Sequence, residues 1–263
     1  MQETSELYKQ ILLSDKYRVE TTLVIGEAGR LLTEKAEVLR FGGDAILVSA
    51  GDANGGYGED MLISVKTTRR LFSGNVPQVG CCTCGEIYVE MHMPIGEIPK
   101  MAQLAPYVRL VSTENPNIFS EWIHKGVFFI DTRDNSHNDD SLDILTLHGY
   151  DAMIRANQLY GSSTLQFPAR DIDIVYDIAS KMNVTVDSRC IPYINKGYEV
   201  QYPVEYTCRE ILGYIGAMYA GNWIINDNGE LQLILLYDLP EETSLLIDEH
   251  AFYITFGGDR IKM

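Results

Sequence analysis

The 263-residue sequence has no long apolar run. No stretch approaches the roughly 20 consecutive apolar residues that a membrane-spanning helix requires. The first ten residues, MQETSELYKQ, are polar and acidic, unlike a secretory signal. We therefore expect a protein without a membrane span, made and folded in a cytosol.

Cysteine and histidine are scarce, with five of each. The cysteines are Cys81, Cys82, Cys84, Cys190 and Cys208, an odd number without the spacing of a disulfide framework. Zinc sites favour separated cysteine pairs, whereas the first three cysteines lie together and the nearest histidine is His92. Cys208 begins a predicted helix on its apolar face. We expect all five to be packing residues and no bound metal.

Motifs that carry catalysis or cofactor binding are also missing. The sequence contains neither H-E-x-x-H nor G-x-S-x-G. Gly51–Gly58 is rich in glycine but lacks the Lys and Ser/Thr of a phosphate loop, which predicts a flexible hairpin loop. Asp134–Asp140 lacks the spacing and final Glu of a calcium loop, so we expect a solvated loop there. Glu241-Glu242 is predicted to be a solvated loop or a helix start. We therefore predict no catalytic, cofactor-binding or metal-binding residues.

Basic residues are few: 21 Lys and Arg stand against 37 Asp and Glu, for a net charge of −16. A surface this acidic excludes tight, sequence-independent binding to nucleic-acid phosphates. The 46% of apolar residues is enough for a folded core. Tyrosine is abundant at 16 residues, which is typical of proteins with large subunit interfaces.

Residues 1–150 are predicted to be mainly β, with one short amphipathic helix over residues 4–13. Alternating apolar and polar residues, separated by turn-rich segments, favour a barrel or sandwich. In Glu86–Met93, the apolar face carries Ile87, Val89 and Met91. The other predicted strands are 17–25, 45–50, 61–67 (with Met61, Ile63 and Val65 inward), 108–112, 127–131 and 142–148.

The pattern changes at Asp151, which is predicted to cap a connecting helix ending near Tyr160, in a linker that spans 151–164. Residues 165–240 form a predicted small α/β domain. A shift of 39 residues aligns a helix and strand at 171–187 with a second copy at 210–226, which favours duplication over a chance similarity of two helix–strand units. The remaining residues, 241–263, read as the start of a further strand region that is incomplete.

The stretch Tyr206–Leu236 has the strongest local signals in the chain. Thr207 and Glu210 form a predicted capping box. The apolar face of the helix is predicted as Ile211, Tyr214, Ile215, Met218 and Tyr219, and Gly221 as its left-handed end. Trp223–Ile225 and Leu231–Leu236 then form a hairpin around a tight Asn228-Gly229 turn, with Trp223 in the core.

Four segments together resemble the baseplate-hub proteins of phage tails and related contractile injection systems, in the form found in prophages of Gram-positive bacteria. They are Leu71–Asn75 followed by Val79-Gly80, Ser120–Trp122 with Lys125–Ile130, Leu145–Met153, and the stretch from Tyr206 to Leu236. The order and spacing of these segments carry the resemblance.

The resemblance implies a split β-barrel followed by a small α/β domain, in a homotrimeric hub without catalytic residues. Its expected partners are the tail tube protein, the spike, other baseplate proteins and the tape-measure protein. Its expected location is the tail baseplate of a virion or injection particle assembled in the bacterial cytoplasm, with DNA passing through the lumen. Family members continue into a second barrel, which we expect to be missing here or to lie elsewhere.

Two other functions remain open from the sequence. One is a cell-wall hydrolase that uses Cys82 or Cys84 with His92. The other is an adhesin module that binds carbohydrate through exposed aromatic residues. Against the adhesin, most Tyr and Trp residues lie on strand or helix faces that we expect to be buried.

Overall fold

The computed structural model describes residues 4–26, 56–92, 98, 100–136, 143–194, 197–236, 255–256 and 259–260. The strand expected at 45–50, most of the Gly51–Gly58 loop and Glu241-Glu242 lie outside the described residues. Within the described part of the chain, no helix is long and apolar enough to cross a membrane.

Seven strands of the first half form one antiparallel sheet. They are β1 (Tyr17–Gly26), β2 (Leu62–Thr68), β3 (Glu86–His92), β4 (Gln103–Ser112), β5 (Ile123–His124), β6 (Phe128–Ser136) and β7 (Ile144–Asp151). The strand order is β1-β4-β6-β7-β3-β2, with β5 paired to β4. A helix, α1 (Glu6–Leu13), precedes the sheet, as predicted from its periodicity. The mainly β character of this half is therefore confirmed.

One face of the sheet is a continuous apolar core. Ile87, Val89 and Met91 are fully buried there, as the alternation in β3 predicted. Leu104 and Phe128 pack into the same cluster from β4 and β6. The prediction for β2 was wrong at Ile63, which is exposed, because a register shift between Leu62 and Ser64 interrupts the alternation.

The sheet is open, because no ladder of the described residues pairs β1 with β2, the two strands at its ends. The two ends approach each other at one point. Leu23 in β1 and Tyr57, which lies ahead of β2, exchange two backbone hydrogen bonds of 3.0 and 2.8 Å. This is an isolated antiparallel bridge and not a strand pair. The described residues therefore show a curled open sheet with a single bridging contact.

The rest of the described chain contains short helices and paired short strands. These elements are β8 (Ala169–Arg170), α2 (Asp171–Met182), α3 (Ile191–Ile194), β9 (Glu199–Val200), α4 (Cys208–Met218), β10 (Gly221–Ile225), β11 (Leu231–Leu235), β12 (Thr255–Phe256) and β13 (Asp259–Arg260). We call residues 152–236 the C-terminal unit. The connecting helix expected from Asp151 to Tyr160 is a shorter 3-10 helix, Ala152–Asn157, although Asp151 caps it as predicted.

The C-terminal unit has its own apolar core, centred on α2, α4 and β10. The α2 face predicted from periodicity is buried, including Val175, Ile178 and Met182. Val186 and Ile225 lie on opposite sides of Leu231, the first through an isolated bridge and the second through the β10–β11 ladder. The single-bridge contact at Val186 takes the place of the strand expected at 184–186.

The buried face of α4 differs from the predicted one. Ile211, Ile215 and Tyr219 are buried, but Tyr214 and Met218 are exposed. Cys208 faces the core, as predicted, and Leu212 and Gly216 face it as well. The cause is the indole of Trp223, because a Cβ at Gly216 would lie 3.0 Å from that ring. The absence of a side chain at Gly216 turns this side of the helix toward the largest core residue.

Two details of α4 and the hairpin differ from the prediction by one residue: the position of the left-handed residue after the helix, and the length of the turn. The capping box of Thr207 and Glu210 is confirmed. Ala220, and not Gly221, takes the left-handed conformation, with φ of 48°. The β10–β11 turn has three residues, because Asn226 N donates to Glu230 O at 2.9 Å and Gly229 has φ of 82°.

Candidate functional site

The segment from residue 71 to residue 85, here called the strap, joins β2 to β3 and lies against the C-terminal unit. Gly80 N donates to Gly221 O at 2.9 Å, and Trp223 N donates to Cys81 O at 2.8 Å. Cys82 and Trp223 form a parallel bridge. The strap therefore extends the β10 edge by main-chain bonds between two parts of the chain that are distant in sequence.

Asn222, fully buried in β10, holds the strap on both sides. Its amide nitrogen donates to Leu71 O at 2.9 Å and to Gln78 O at 2.8 Å. Its side-chain oxygen accepts from Cys81 N at 2.8 Å. Three backbone groups of the strap are satisfied by one side chain, which fixes the shape of this turn-rich segment.

The strap also touches α4 at a glycine pair. A Cβ on Gly80 would lie 2.5 Å from Gly213 O, and a Cβ on Gly213 would lie 2.8 Å from Gly80 O. Both values are shorter than real Cβ contacts. Gly80 also has φ of 76°, a conformation that glycine adopts without strain. Backbone therefore packs on backbone at this crossing.

The three strap cysteines are packing residues in this arrangement. Burial raises the pKa of the Cys82 thiol to about 12, although Arg209 acts in the opposite direction. Burial also raises the pKa of Cys84, whose sulfur accepts from Arg209 Nη2 at 3.2 Å. Cys82 is therefore a neutral thiol near pH 7, and a thiolate is the form required for nucleophilic attack or zinc binding. Cys190 and Cys208 are likewise buried free thiols.

The structure does not bring His92 to the cysteines. Cys84 precedes the first residue of β3, and His92 is the last residue of that strand. A strand of this length separates its ends by about 20 Å. Among the described residues, no group of three His, Cys, Asp or Glu side chains is placed to hold a metal ion.

Arg209 and Asp151 organise the other side of the strap, and no sequence motif predicts the role of Arg209. Its guanidinium donates to Asn157 Oδ1 at 2.7 Å, to Met153 O at 2.9 Å and to Cys82 O. These partners lie 52 to 127 residues away in sequence, so no local pattern identifies them.

Asp151 is a buried carboxylate at the end of β7. It accepts from Gly85 N at 2.7 Å and from Met153 N at 3.0 Å. Burial raises the pKa of this carboxyl to about 6, while the two amides and then the nearby Arg69 and Arg209 lower it. One side chain thus ties the end of the strap to the start of the 3-10 helix.

An ion pair links the sheet to the β10–β11 turn. Arg69, directly after β2, pairs with Asp227 and donates to Lys125 O at 3.3 Å. Its guanidinium carbon lies 5.7 Å from the centroid of the Phe128 ring. Gly126 leaves room for this arrangement, since a Cβ there would overlap the guanidinium.

The acidic loop predicted at Asp134–Asp140 is partly strand. Residues 134–136 continue β6 and pair with β7 from Thr146 to Ile144, and residues 137–140 lie outside the described residues.

Asp187 and Asn226, which the 39-residue repeat aligns with each other, are in direct contact. The side-chain amide of Asn226 donates a 3.0 Å hydrogen bond to the carboxylate of Asp187. The adjacent guanidinium of Arg189 lowers the pKa of Asp187 to about 2.

The expectation that tyrosine rings are mostly buried was wrong for the C-terminal unit. Tyr160 and Tyr219 are buried, as is Trp223. The exposed tyrosines of the C-terminal unit are Tyr176, Tyr193, Tyr198, Tyr202, Tyr206 and Tyr214. Several make ring contacts, such as the edge-to-face pair of Tyr206 and Tyr214 at 5.6 Å.

Two solved tail proteins are similar to this chain over most of its length. The 43 kDa tail protein of prophage MuSo2 from Shewanella oneidensis is 12% identical, with a TM-score of 0.49, covering 87% of this chain and 59% of that one. A tail protein from Neisseria meningitidis MC58 is 10% identical, with a TM-score of 0.43, covering 83% of this chain and 51% of that one. The chain thus spans little more than half the length of either protein, and these similarities alone assign no function.

No protein-family model matches the chain, and no curated protein matches it.

Proposed function

We propose that this chain is a structural, non-enzymatic component of a phage tail or contractile injection system. In this proposal it forms a homotrimeric baseplate hub that links the tail tube to the central spike. The observation that carries the proposal is the position of the segments that resemble the hub family. Three of the four meet at the junction between the sheet and the C-terminal unit.

The contacts at this junction connect these segments directly. Leu71 O and Gln78 O, in and beside the first segment, bind Asn222 in the last one. Asp151, in the Leu145–Met153 segment, binds Gly85 at the end of the strap. β6, from the Lys125–Ile130 segment, pairs with β7. Three of the four segments therefore supply residues that join the two halves of the fold.

The split barrel belongs to this proposal. The curled sheet and the two bonds between Leu23 and Tyr57 support it, because they bring the first strand next to the segment ahead of β2. The uncharged thiols and the separation of Cys84 from His92 favour a structural role over the Cys/His hydrolase.

Carbohydrate binding is a second candidate, and the exposed tyrosines favour it. Phe167 and Tyr202 form a tilted ring pair with centroids 4.8 Å apart, and Tyr202 is exposed. Aromatic rings presented in this way suit stacking on sugars. The control is Tyr88→Ala, because Tyr88 is an exposed tyrosine on β3. Binding of cell-wall polysaccharide by the wild type, lost in Tyr202→Ala and retained in Tyr88→Ala, would favour this function over the hub.

The decisive experiment combines solution mass with location in the particle. We expect light scattering to give three times the chain mass, and gold-labelled antibodies to mark the tail tip in micrographs of particles. A monomer at micromolar concentration, or label along the tube or on the head, would refute the trimeric hub. Thiol-dependent hydrolysis of cell-wall peptides would refute the non-enzymatic role.

A further inference from the structure

Two segments without any charged residue lie against each other on the surface of this acidic chain. Residues 71–85 and residues 211–225 contain no Asp, Glu, Lys, Arg or His, although 22% of the whole sequence is Asp, Glu, Lys or Arg. The first is the strap and the second is most of α4 together with β10. The Gly80–Gly213 contact joins the two segments.

The outer surface of this pair is uncharged and presents exposed apolar side chains among polar ones. The exposed fractions are 66% for Val76, 50% for Val79, 60% for Tyr214 and 50% for Met218. A Cβ at Gly80 would lie 3.1 Å from the Cβ of Ala217, so the valine-bearing turn lies next to the outer row of α4. We call residues 73–79 with Tyr206, Tyr214, Ala217 and Met218 the neutral patch.

The neutral patch is held rigidly from beneath. Asn222 fixes the strap through three hydrogen bonds, and Trp223 N bonds to Cys81 O. Tyr206 and Tyr214 support each other by edge-to-face ring contact. Binding to such a surface costs little conformational entropy, which is the condition for an efficient interface.

The charge of the chain identifies the kind of partner that fits. At a net charge of −16, two copies repel wherever their acidic surfaces meet, and this repulsion is least at a surface without charges. A basic partner would gain more from the acidic surface than from an uncharged apolar one. The patch therefore suits a partner that is itself acidic.

We infer that the neutral patch is the contact through which one copy of this chain binds a second copy. This inference rests on the self-assembly in the proposed function and adds the surface that carries it. A stable interface buries about 800 Å² on each partner, so the patch forms its apolar centre and charged residues form its rim. In a closed ring of three, the patch of one copy meets a different surface of the next.

The test introduces one negative charge at a time into the neutral patch. Tyr214→Glu and Val76→Glu are the patch variants, one on each segment. Tyr176→Glu is the matched control, because Tyr176 is a half-exposed tyrosine (43%) on α2 of the same unit. Analytical ultracentrifugation of each full chain over a concentration series gives the dissociation constant. We expect at least a tenfold increase for both patch variants and no change for the control.

A photo-crosslinking amino acid at position 214, with position 176 as the control, tests the contact without adding charge. We expect cross-linked dimers and trimers only from position 214, with attachment mapped by peptide mass spectrometry to a different surface of the neighbour. Circular dichroism of every variant establishes that it is folded.

Three results would overturn the inference, and they separate it from the proposed function. If the wild type is an oligomer that Tyr214→Glu and Val76→Glu leave intact, the neutral patch is not the contact between copies, and the proposed hub is unaffected. A wild-type monomer refutes both. A monomeric wild type that binds polysaccharide, with binding lost in Tyr214→Glu, assigns the patch to carbohydrate instead.

Discussion

At the scale of single residues, Asn222 is a buried side chain that holds the strap by three hydrogen bonds. Its amide reaches three backbone groups that lie 141 to 151 residues away in sequence. Asn222→Ala leaves those groups without partners in a buried place, and each such group costs about 1–3 kcal/mol.

We expect Asn222→Ala to lower the free energy of unfolding by about 3 kcal/mol, measured by urea denaturation. Asn228→Ala, at an exposed turn position of the same hairpin, is the control and should change stability by less than about 0.5 kcal/mol. Equal effects of the two variants would show that the strap contacts contribute little.

Asp151 makes stability depend on pH in the direction opposite to most carboxylates. Burial raises its pKa in the folded protein to about 6, above the ordinary value of 3.8. Between these two values the folded protein holds a proton that the unfolded chain has released. The free energy of unfolding therefore falls as pH rises through this window, by about 3 kcal/mol in total for this group.

The measurement compares wild type with Asp151→Asn by urea denaturation from pH 4 to pH 7. We expect the wild type to lose more stability than the variant across this range. Burial lowers the pKa of His124, which acts in the opposite direction but is common to both proteins, so the difference isolates Asp151. Parallel pH profiles would contradict the raised pKa.

At the scale of elements, the end of α4 contains a residue in an unfavourable conformation. Ala220 has φ of 48°, where a side chain costs about 1 kcal/mol and glycine does not. We expect Ala220→Gly to raise the free energy of unfolding by about 0.5–1 kcal/mol in thermal or urea denaturation.

Ala217→Gly is the control for Ala220→Gly, three residues earlier at an exposed helical position. It should lower stability by about 1 kcal/mol, because glycine is a poor helix former. The same substitution thus has opposite signs at two nearby sites. Destabilisation by both would show that the helix continues through residue 220.

The elements were predictable where their signals are local. The limits of α2 and the capping box of α4 follow from residues within one helical turn of each other. The buried face of α4 could not be predicted from such local signals, because the position of Trp223 against Gly216 decides it. Likewise, the shift between Leu62 and Ser64 has no marker in the sequence, which is why Ile63 was placed on the wrong face.

At the scale of the whole molecule, the strap joins two separate apolar cores. Ile87 and Phe128 belong to the core of the sheet, and Trp223 belongs to the core of the C-terminal unit, against which Cys82 packs from the strap. Sequence patterns predicted both halves but not their junction. Its bonds, from Arg209 to Cys82 O and from Asn222 to Leu71 O, connect residues more than one hundred positions apart.

Gly213→Ala tests whether this junction couples the two halves. In an isolated helix the change should stabilise by about 1 kcal/mol, because alanine is the better helix former. Here the new Cβ would lie 2.8 Å from Gly80 O, so we expect a net loss of about 1–3 kcal/mol. Gly74→Ala, where no atom lies within 4 Å of the new Cβ, is the control and should be close to neutral.

Two probes show how the loss of stability in Gly213→Ala is distributed between the sheet and the C-terminal unit. In a Trp122→Phe background, fluorescence reports on Trp223 in the C-terminal unit, while far-ultraviolet circular dichroism follows all secondary structure. We expect the two urea transitions to coincide when Gly213 is present and to separate when alanine pushes the strap from α4. Coincident transitions with unchanged midpoints in both proteins would mean that the strap contact does not hold the halves together.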